Sequence, residues 1–318
     1  MWTFILRRLL YNVPVYLGIL ALLMGALRVN DPISGKLGKN PAPGDRAVLE
    51  EKYGLDKSFP VQYFALVADV VTLDFAEVES WTNDGLFVGE MLADSVVPSL
   101  AITVPALCLT SVLAISIAII SAFFRGRPVD KTLMVLAVVG MSVSFLVYII
   151  FGQYWFAYSL GAKTGTSYFA IGGYEPGIAN WPYYCLLPVL ISVFVAMGYD
   201  TRFYRAVMVE ESGRDYITTA KAKGATKQKI MFVHMLKNAM IPIITRIMTT
   251  LPFLVMGSLL LEVYFNIPGM GRVLFKAIQE QDFPVVQTFV AIFAALFILS
   301  NILTDVLYAL VDPRVRLS

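Results

Sequence analysis

Residues 96–124 read VVPSLAITVPALCLTSVLAISIAIISAFF, with no charge between Asp94 and Arg125. A helix needs about 20 apolar residues to cross a hydrocarbon core about 30 Å thick, and this stretch is long enough. A barrel strand would be about ten residues long and would alternate in polarity, which this stretch does not. Inside lipid the backbone must satisfy its own hydrogen bonds, so a helix is expected. Outward from it, Leu9–Leu27, Thr132–Ala162, Ile178–Tyr199 and Phe283–Thr304 are also uncharged, and Met240–Leu261 is interrupted only by Arg246. The reading is an all-α membrane protein with six transmembrane helices. Composition agrees: of the 318 residues 58% are hydrophobic and 15% charged, against about 25% charged in a soluble domain.

Two stretches need closer reading. Leu9–Leu27 follows Arg7 and Arg8 in the manner of a signal sequence, but it exceeds the usual apolar region of about 7–15 residues. No small-x-small cleavage site precedes Arg28, so the stretch is expected to be a retained first span. Thr132–Ala162 is too long for one straight span. Its aromatic run Gln153–Tyr158 suits a membrane interface, so the span is expected to end near Trp155.

Charge sets the orientation, because short loops rich in Lys and Arg stay in the cytoplasm. The loop after span two carries Arg125, Arg127 and Lys131. The loop after span four carries Arg202, Arg205, Arg214, Lys221, Lys223, Lys227, Lys229 and Lys237, and the end of the chain carries Arg314 and Arg316. With six spans all of these lie on the side of Arg7 and Arg8, so both termini are expected in the cytoplasm. On the opposite side Val29–Ser95 holds twelve acids and five bases. The expected organisation is residues 1–28 as N-terminus and first span, 29–95 as an external segment, and 96–318 as a core of spans two to six with a cytoplasmic loop at 206–239. The external segment opens rich in Pro and Gly, and Leu66, Val67, Val70, Val71, Leu73 and Phe75 are expected to build a small packed lobe.

The cytoplasmic loop is the informative part. Ser212 with Asp215 three residues on has the form of a capping box. A helix follows through Tyr216–Lys223, and Gly224 is placed to end it in a left-handed turn. Thr226 is placed to cap a second helix carrying Ile230, Val233 and Lys237, with Asn238 and Pro242 leading into span five. The expected element is two short helices at an angle, joined at a glycine and tied to the membrane at both ends. Two readings follow from physics alone. The small residues Ala220, Ala222, Gly224 and Ala225 admit the close approach of a cytoplasmic partner, or the basic hairpin lies on anionic lipid.

The motif Tyr216-Ile217-Thr218-Thr219-Ala220-Lys221-Ala222-Lys223-Gly224, followed by His234-Met235-Leu236-Lys237-Asn238-Ala239-Met240-Ile241-Pro242, resembles the EAA loop of ABC-importer permeases, in the version of the oligopeptide and dipeptide permeases. Other stretches match the same family: Arg7-Arg8-Leu9-Leu10, Tyr53-Gly54-Leu55-Asp56 with Pro60–Phe64, Glu262–Gly271, and Leu307–Arg314. Departures are Thr218-Thr219 for Glu-Ala, Leu73-Asp74-Phe75-Ala76 for the usual Gly-Asp-Phe-Gly, and the Gly- and Tyr-rich run Gly161–Glu175. The resemblance implies the type I ABC-importer permease fold in a bacterial cytoplasmic membrane. It implies docking onto an ATPase by Thr219, Ala220, Lys221, Lys223, Gly224 and Ala225, and anchoring of the loop by Leu236, Asn238 and Pro242. The implied partners are a second homologous permease subunit in a heterodimer, two ABC ATPase subunits, an extracytoplasmic substrate-binding protein and membrane lipid. ATP and Mg²⁺ would sit on the ATPases, with no cofactor on this chain and no nucleic acid involved. The implied cargo is peptide, with a nickel complex or sugar as the alternative.

Other candidates carry plainer readings. His234 has no second His, Cys or Asp beside it in sequence and suits a packing role. Arg246 and Asp305 are expected near the inner ends of spans five and six, and Glu262 at the outer interface. A structural ion pair accounts for such residues more simply than a substrate site. Pro105 and Pro188 are expected to kink spans two and four. Cys108 and Cys185 sit in apolar runs and read as small packing residues. Gly161-Ala162-Lys163-Thr164 lacks the first glycine of a phosphate loop, and HExxH and a nucleophile triad are missing, so no chemistry is expected of the chain itself. An ion-coupled carrier would want charges at mid-span, which these stretches do not offer.

Overall fold

The computed structural model describes residues 2–29, 33, 37, 44–52, 54–72, 74, 78–83, 85–250 and 258–311. Thirteen helical elements are used below: α1 Trp2–Val29, α2 Asp45–Lys52, α3 Phe59–Thr72, α4 Val88–Phe123, α5 Pro128–Ser142, α6 Phe145–Thr164, α7 Trp181–Tyr184, α8 Leu186–Glu211, α9 Asp215–Ala222, α10 Lys227–Met248, α11 Leu259–Tyr264, α12 Met270–Gln279 and α13 Phe283–Val311. Among the described residues no strand forms, only an isolated antiparallel bridge between Glu79 and Phe87. Among the described residues six helices are long and apolar enough to cross a membrane: α1 from Leu6, α4, α6, α8, α10, and α13 to Val306.

The span boundaries differ from the sequence reading in several places. Helix α4 begins at Val88, ahead of the expected Val96. The third stretch is resolved not by ending near Trp155 but by a break. Val143 and Ser144 adopt extended ψ values of 139°, separating α5 from α6. Helix α6 then runs through a π-helical turn at Gln153–Ser159 and stops at Thr164, where Gly165 turns left-handed with φ 72°. Pro188 lies in the first turn of α8, where a missing N–H costs nothing, so it starts the helix instead of kinking it. Pro105 stays inside α4. The fifth span is the continuous helix α10 from Lys227 to Met248, so the second short helix of the cytoplasmic loop is the beginning of the span. Residues 251–257 of the expected Met240–Leu261 lie outside the described residues, as do Tyr53, Leu73, Phe75, Ala76 and residues 312–318.

The chain divides into two compact units. One comprises residues 1–99, 255–263 and 268–303. Its core gathers Val88, Met270, Ala277, Val285, Phe289 and Phe293. A second cluster joins Leu20, Met24, Leu66 and Ala291, with Phe59, Tyr63, Val67 and Val70 packed against it. The expected lobe of the external segment is therefore a helix laid on span α1. Of its residues, Val71 is 77% exposed. Asp282, buried at the start of α13, accepts hydrogen bonds from the Ser80 hydroxyl and from the Trp81 and Thr82 N–H groups at 3.0 and 3.2 Å, pinning the end of the external segment.

The other unit comprises residues 100–254, 264–267 and 304–318. Here α5 packs along α8 at Gly198, where a Cβ would stand 2.7 Å from the Ala137 carbonyl oxygen, so only glycine permits the approach. Its core joins Ala114, Ala118, Tyr204, Met208, Ile217, Ala220, Ile230, Met231, Met235, Ala239 and Ile243. The loop at 206–239 builds part of that core itself, through Ile217, Ala220, Ile230, Met231 and Met235.

Candidate functional site

The turn from α9 into α10 rests on two residues legible in sequence. At the C-terminus of α9 Gly224 has φ 78°. The Gly224 N–H donates to Lys221 O at 2.9 Å and the Ala225 N–H to Ala220 O at 3.1 Å, the paired bonds of a Schellman turn. Thr226 then caps α10, its hydroxyl accepting from the Lys229 N–H at 3.3 Å. The N-terminal capping box does not form. Ser212 closes α8, its hydroxyl donating to Val209 O, and Arg214 precedes the first turn of α9 without a side-chain cap.

The two faces of α9 differ. Ile217 and Ala220 are buried against Ile230, Met231 and Met235, where α10 makes a π-helical turn over Ile230–Met235. Ala225 packs against the same cluster. Thr218, Thr219, Lys221, Ala222, Lys223 and Gly224 are exposed. Of the six residues expected to dock a partner, Thr219, Lys221, Lys223 and Gly224 are thus presented outward, while Ala220 and Ala225 seat the helix on its own core. Of the expected anchors, Leu236 packs partly buried on the cluster, Asn238 is exposed and Pro242 lies inside α10.

A brace that the sequence reading missed holds this element. Asp130 is 4% exposed and meets the Arg205 guanidinium in two bonds of 2.7 Å, Nε to Oδ1 and Nη2 to Oδ2. The Ser121 hydroxyl and the Gly126 N–H also donate to its carboxylate. The Arg205 contact, first among these causes, holds the Asp130 carboxyl well below the usual carboxylate range. From the same corner Arg125 donates to the Ser212 hydroxyl at 3.3 Å. The Lys227 ammonium donates to Phe123 O at 2.6 Å and stands 4.2 Å over the Phe123 ring. The corner between α4 and α5 therefore grips the segment just before α9 and the segment just after it. The signal available in sequence was Asp130 itself, a lone acid among Arg125, Arg127 and Lys131. Tyr216 adds a tie: its hydroxyl donates to the Glu211 carboxylate, and burial first, then that carboxylate, raises the phenol above its usual range.

Two of the remaining candidates, Arg246 and Glu262, have partners within the chain. Arg246 pairs with Asp200 of α8 at 3.2 Å. His234 sits half-buried in the π-helical turn. In the first unit Glu262 is fully buried, accepting the Ser99 hydroxyl at 2.7 Å and the Ser258 and Arg272 N–H groups at 3.2 and 3.1 Å. A Cβ on Gly269 would stand 2.4 Å from its Cδ. Three residues of the Glu262–Gly271 motif are thereby explained: the Glu262 carboxylate fills the start of α12, where the helix dipole and first-turn N–H groups favour it, and Gly269 and Gly271 make room.

The family model for the inner membrane component of binding-protein-dependent transport systems matches residues 114–317. A probable peptide ABC transporter permease of Sinorhizobium fredii is 31% identical, with 99% of this chain and all of the relative aligned. The glutathione transport system permease protein GsiC of Salmonella typhimurium is 31% identical, covering 99% of each chain. The oligopeptide transport system permease protein AppB of Bacillus subtilis is 28% identical over 99% of this chain and all of that one. Among solved structures, the inward-facing MetNI methionine ABC transporter matches with a TM-score of 0.54 at 16% identity, covering 70% of this chain and 97% of that one, a likeness of fold. With its six apolar helices and these full-length relatives, the chain belongs to the family of inner membrane components of binding-protein-dependent transport systems.

Proposed function

We propose that the chain passes peptides through a pore it forms with a second, homologous permease subunit, and that α9 with Gly224 takes up the stroke of an ATPase. Family membership makes it a multi-pass cytoplasmic-membrane transport subunit, not an enzyme, working with ATPase and substrate-binding partners. The relatives named for peptide, oligopeptide and glutathione transport support a peptide cargo. ATP and Mg²⁺ belong to the ATPases. The observation that carries the coupling role is the exposed edge Thr219, Lys221, Lys223 and Gly224 on a helix gripped at both ends. A helix held in this way delivers a push to α8 and α10 instead of swinging free. Closing of the ATPases would tilt both helices and open the pore outward; hydrolysis would reset it.

The test is Gly224→Asp, which adds a charge to the presented edge and strains a left-handed residue. Uptake of labelled di- and oligopeptides into reconstituted vesicles should be lost and the ATPases should fail to co-purify, with membrane insertion unchanged. Undiminished ATP-driven uptake would end the coupling role. Uptake that survives ATP depletion and collapses with an ion gradient would instead make the chain an ion-coupled carrier.

A further inference from the structure

Helix α3, in the segment expected outside the membrane, has two apolar faces, with Gln62, Asp69 and Thr72 on the flank between them. One face packs on α1 and α13: Phe59, Tyr63, Val67 and Val70 lie against Leu20, Met24 and Ala291. The opposite stripe recurs at i, i+3, i+7 and i+10. Val61, Phe64 and Val71 on it are 51%, 68% and 77% exposed, and Ala68 between them is exposed too. The apolar face of a helix is normally covered, by protein or by lipid.

Depth is fixed by what α3 touches. Span α1 ends at Arg28 and Val29. At about 1.5 Å per residue, Met24, Leu20 and Leu17 stand roughly 6, 12 and 16 Å below Arg28. The Tyr63 hydroxyl donates to Leu17 O at 2.9 Å. The helix therefore lies alongside the outer half of a membrane span, not above it. Its stripe continues the apolar surface of α1, where Leu22 is 76% exposed. Its only charged residue, Asp69, does not join the stripe. It lines a cavity of about 360 Å³ together with Arg28, Lys57, Gln62, Gln287 and Val61, so of the stripe only Val61 also borders that cavity. An ionisable side chain at this depth is expected to face inward. The Arg28 guanidinium lies 5.1 Å over the Phe59 ring, at the level where a basic side chain meets headgroup phosphates.

We propose that α3 is embedded in the outer leaflet, with Phe64, Ala68 and Val71 against acyl chains and Arg28 and Lys57 at the level of the phosphates. The occupant of the stripe is lipid, because the stripe is pure hydrocarbon, joins the lipid face of α1 and lies below the end of the span. The test uses the assembled transporter in nanodiscs of phosphatidylethanolamine and phosphatidylglycerol. Single cysteines replace Phe64, Val71 or, as the lipid reference, Leu22, each nitroxide-labelled, with Cys108 changed to alanine and the buried Cys185 left in place. Labels at 64 and 71 should collide with oxygen in clear excess over a water-soluble nickel chelate, with the ratio found at 22. Excess collision with the nickel chelate would place the stripe in water and overturn the proposal. Shielding from both would mean that a protein partner covers it, and would overturn it equally. As a second measurement, tryptophan at Phe64 should be quenched by brominated acyl chains; absence of quenching contradicts the proposal.

Discussion

At Asp130 a single carboxylate carries three kinds of donor: a guanidinium, a hydroxyl and a backbone N–H. Removing one partner of a fully buried ion pair costs about 3–5 kcal/mol. Arg205 is 25% exposed, so the penalty for Asp130→Asn is expected nearer 2 kcal/mol, read as a lowered thermal transition of the detergent-solubilised protein. Its pH dependence follows from the depressed carboxyl. The unfolded chain releases this proton near the ordinary value of about 4, so the stabilisation is whole above that pH. It is lost progressively as pH drops from there to the lower folded value. The difference between wild type and Asp130→Asn should stay flat from pH 8 to 5 and narrow in stronger acid; a difference already shrinking at pH 6 would contradict the pairing. Gly269 makes a second prediction at this scale. Its Cβ would press 2.4 Å from Glu262 Cδ and 2.6 Å from Ser99 Oγ, whereas a Cβ on Gly18 of α1 meets nothing within 4 Å. Overpacking typically costs about 1–3 kcal/mol, so Gly269→Ala should lower the thermal transition and Gly18→Ala should leave it in place.

At the scale of the element, α9 was legible where its ends depend on local chemistry and illegible where tertiary packing decides. Gly224 and Thr226 act as their residue types require. Ser212 fits a capping pattern but is taken by the end of α8, whose last turn uses its hydroxyl. Nor did residue type announce that Ala220 faces inward, since small residues suit a core as well as a docking edge. The fifth span was displaced because Lys227 and Lys229 stand in the first turn of α10, behind the Thr226 cap, and a count of uncharged residues discards that turn. The glycine joint yields its own prediction. An L-residue in the left-handed region costs about 1–2 kcal/mol, less for asparagine. Gly224→Ala should therefore weaken the turn and reduce ATP-driven uptake, and Gly224→Asn should restore most of it. Equal loss in both would show that space on the docking edge, not backbone freedom, is the requirement. A Cβ at this position meets nothing within 4 Å of its own chain, so any steric effect has to come from a partner.

For the whole molecule, six spans were legible because hydrocarbon imposes one length on every crossing helix, and that requirement survives errors in each boundary. The two interleaved units were not legible, because contacts between distant segments decide them: α4 passes from one unit to the other at Ser99 and Leu100. Orientation rests on charge alone and is open to a direct test. Lys221 is exposed on α9, and Ile178, 95% exposed, lies in the segment between α6 and α8, which an even alternation of spans puts on the opposite side. With Cys108 replaced by alanine, a cysteine at 221 should react with a membrane-impermeant maleimide only in inside-out vesicles, and a cysteine at 178 only in right-side-out ones. The pairing matters because each position controls for the other: leaky vesicles label both in either preparation, and an inverted topology exchanges the two. Such an exchange would put α9 outside, away from any ATPase, and remove the coupling role. It would also move the stripe of α3 to the inner leaflet without taking it out of lipid, because its depth is set by its contacts with α1 and not by the sidedness of the chain.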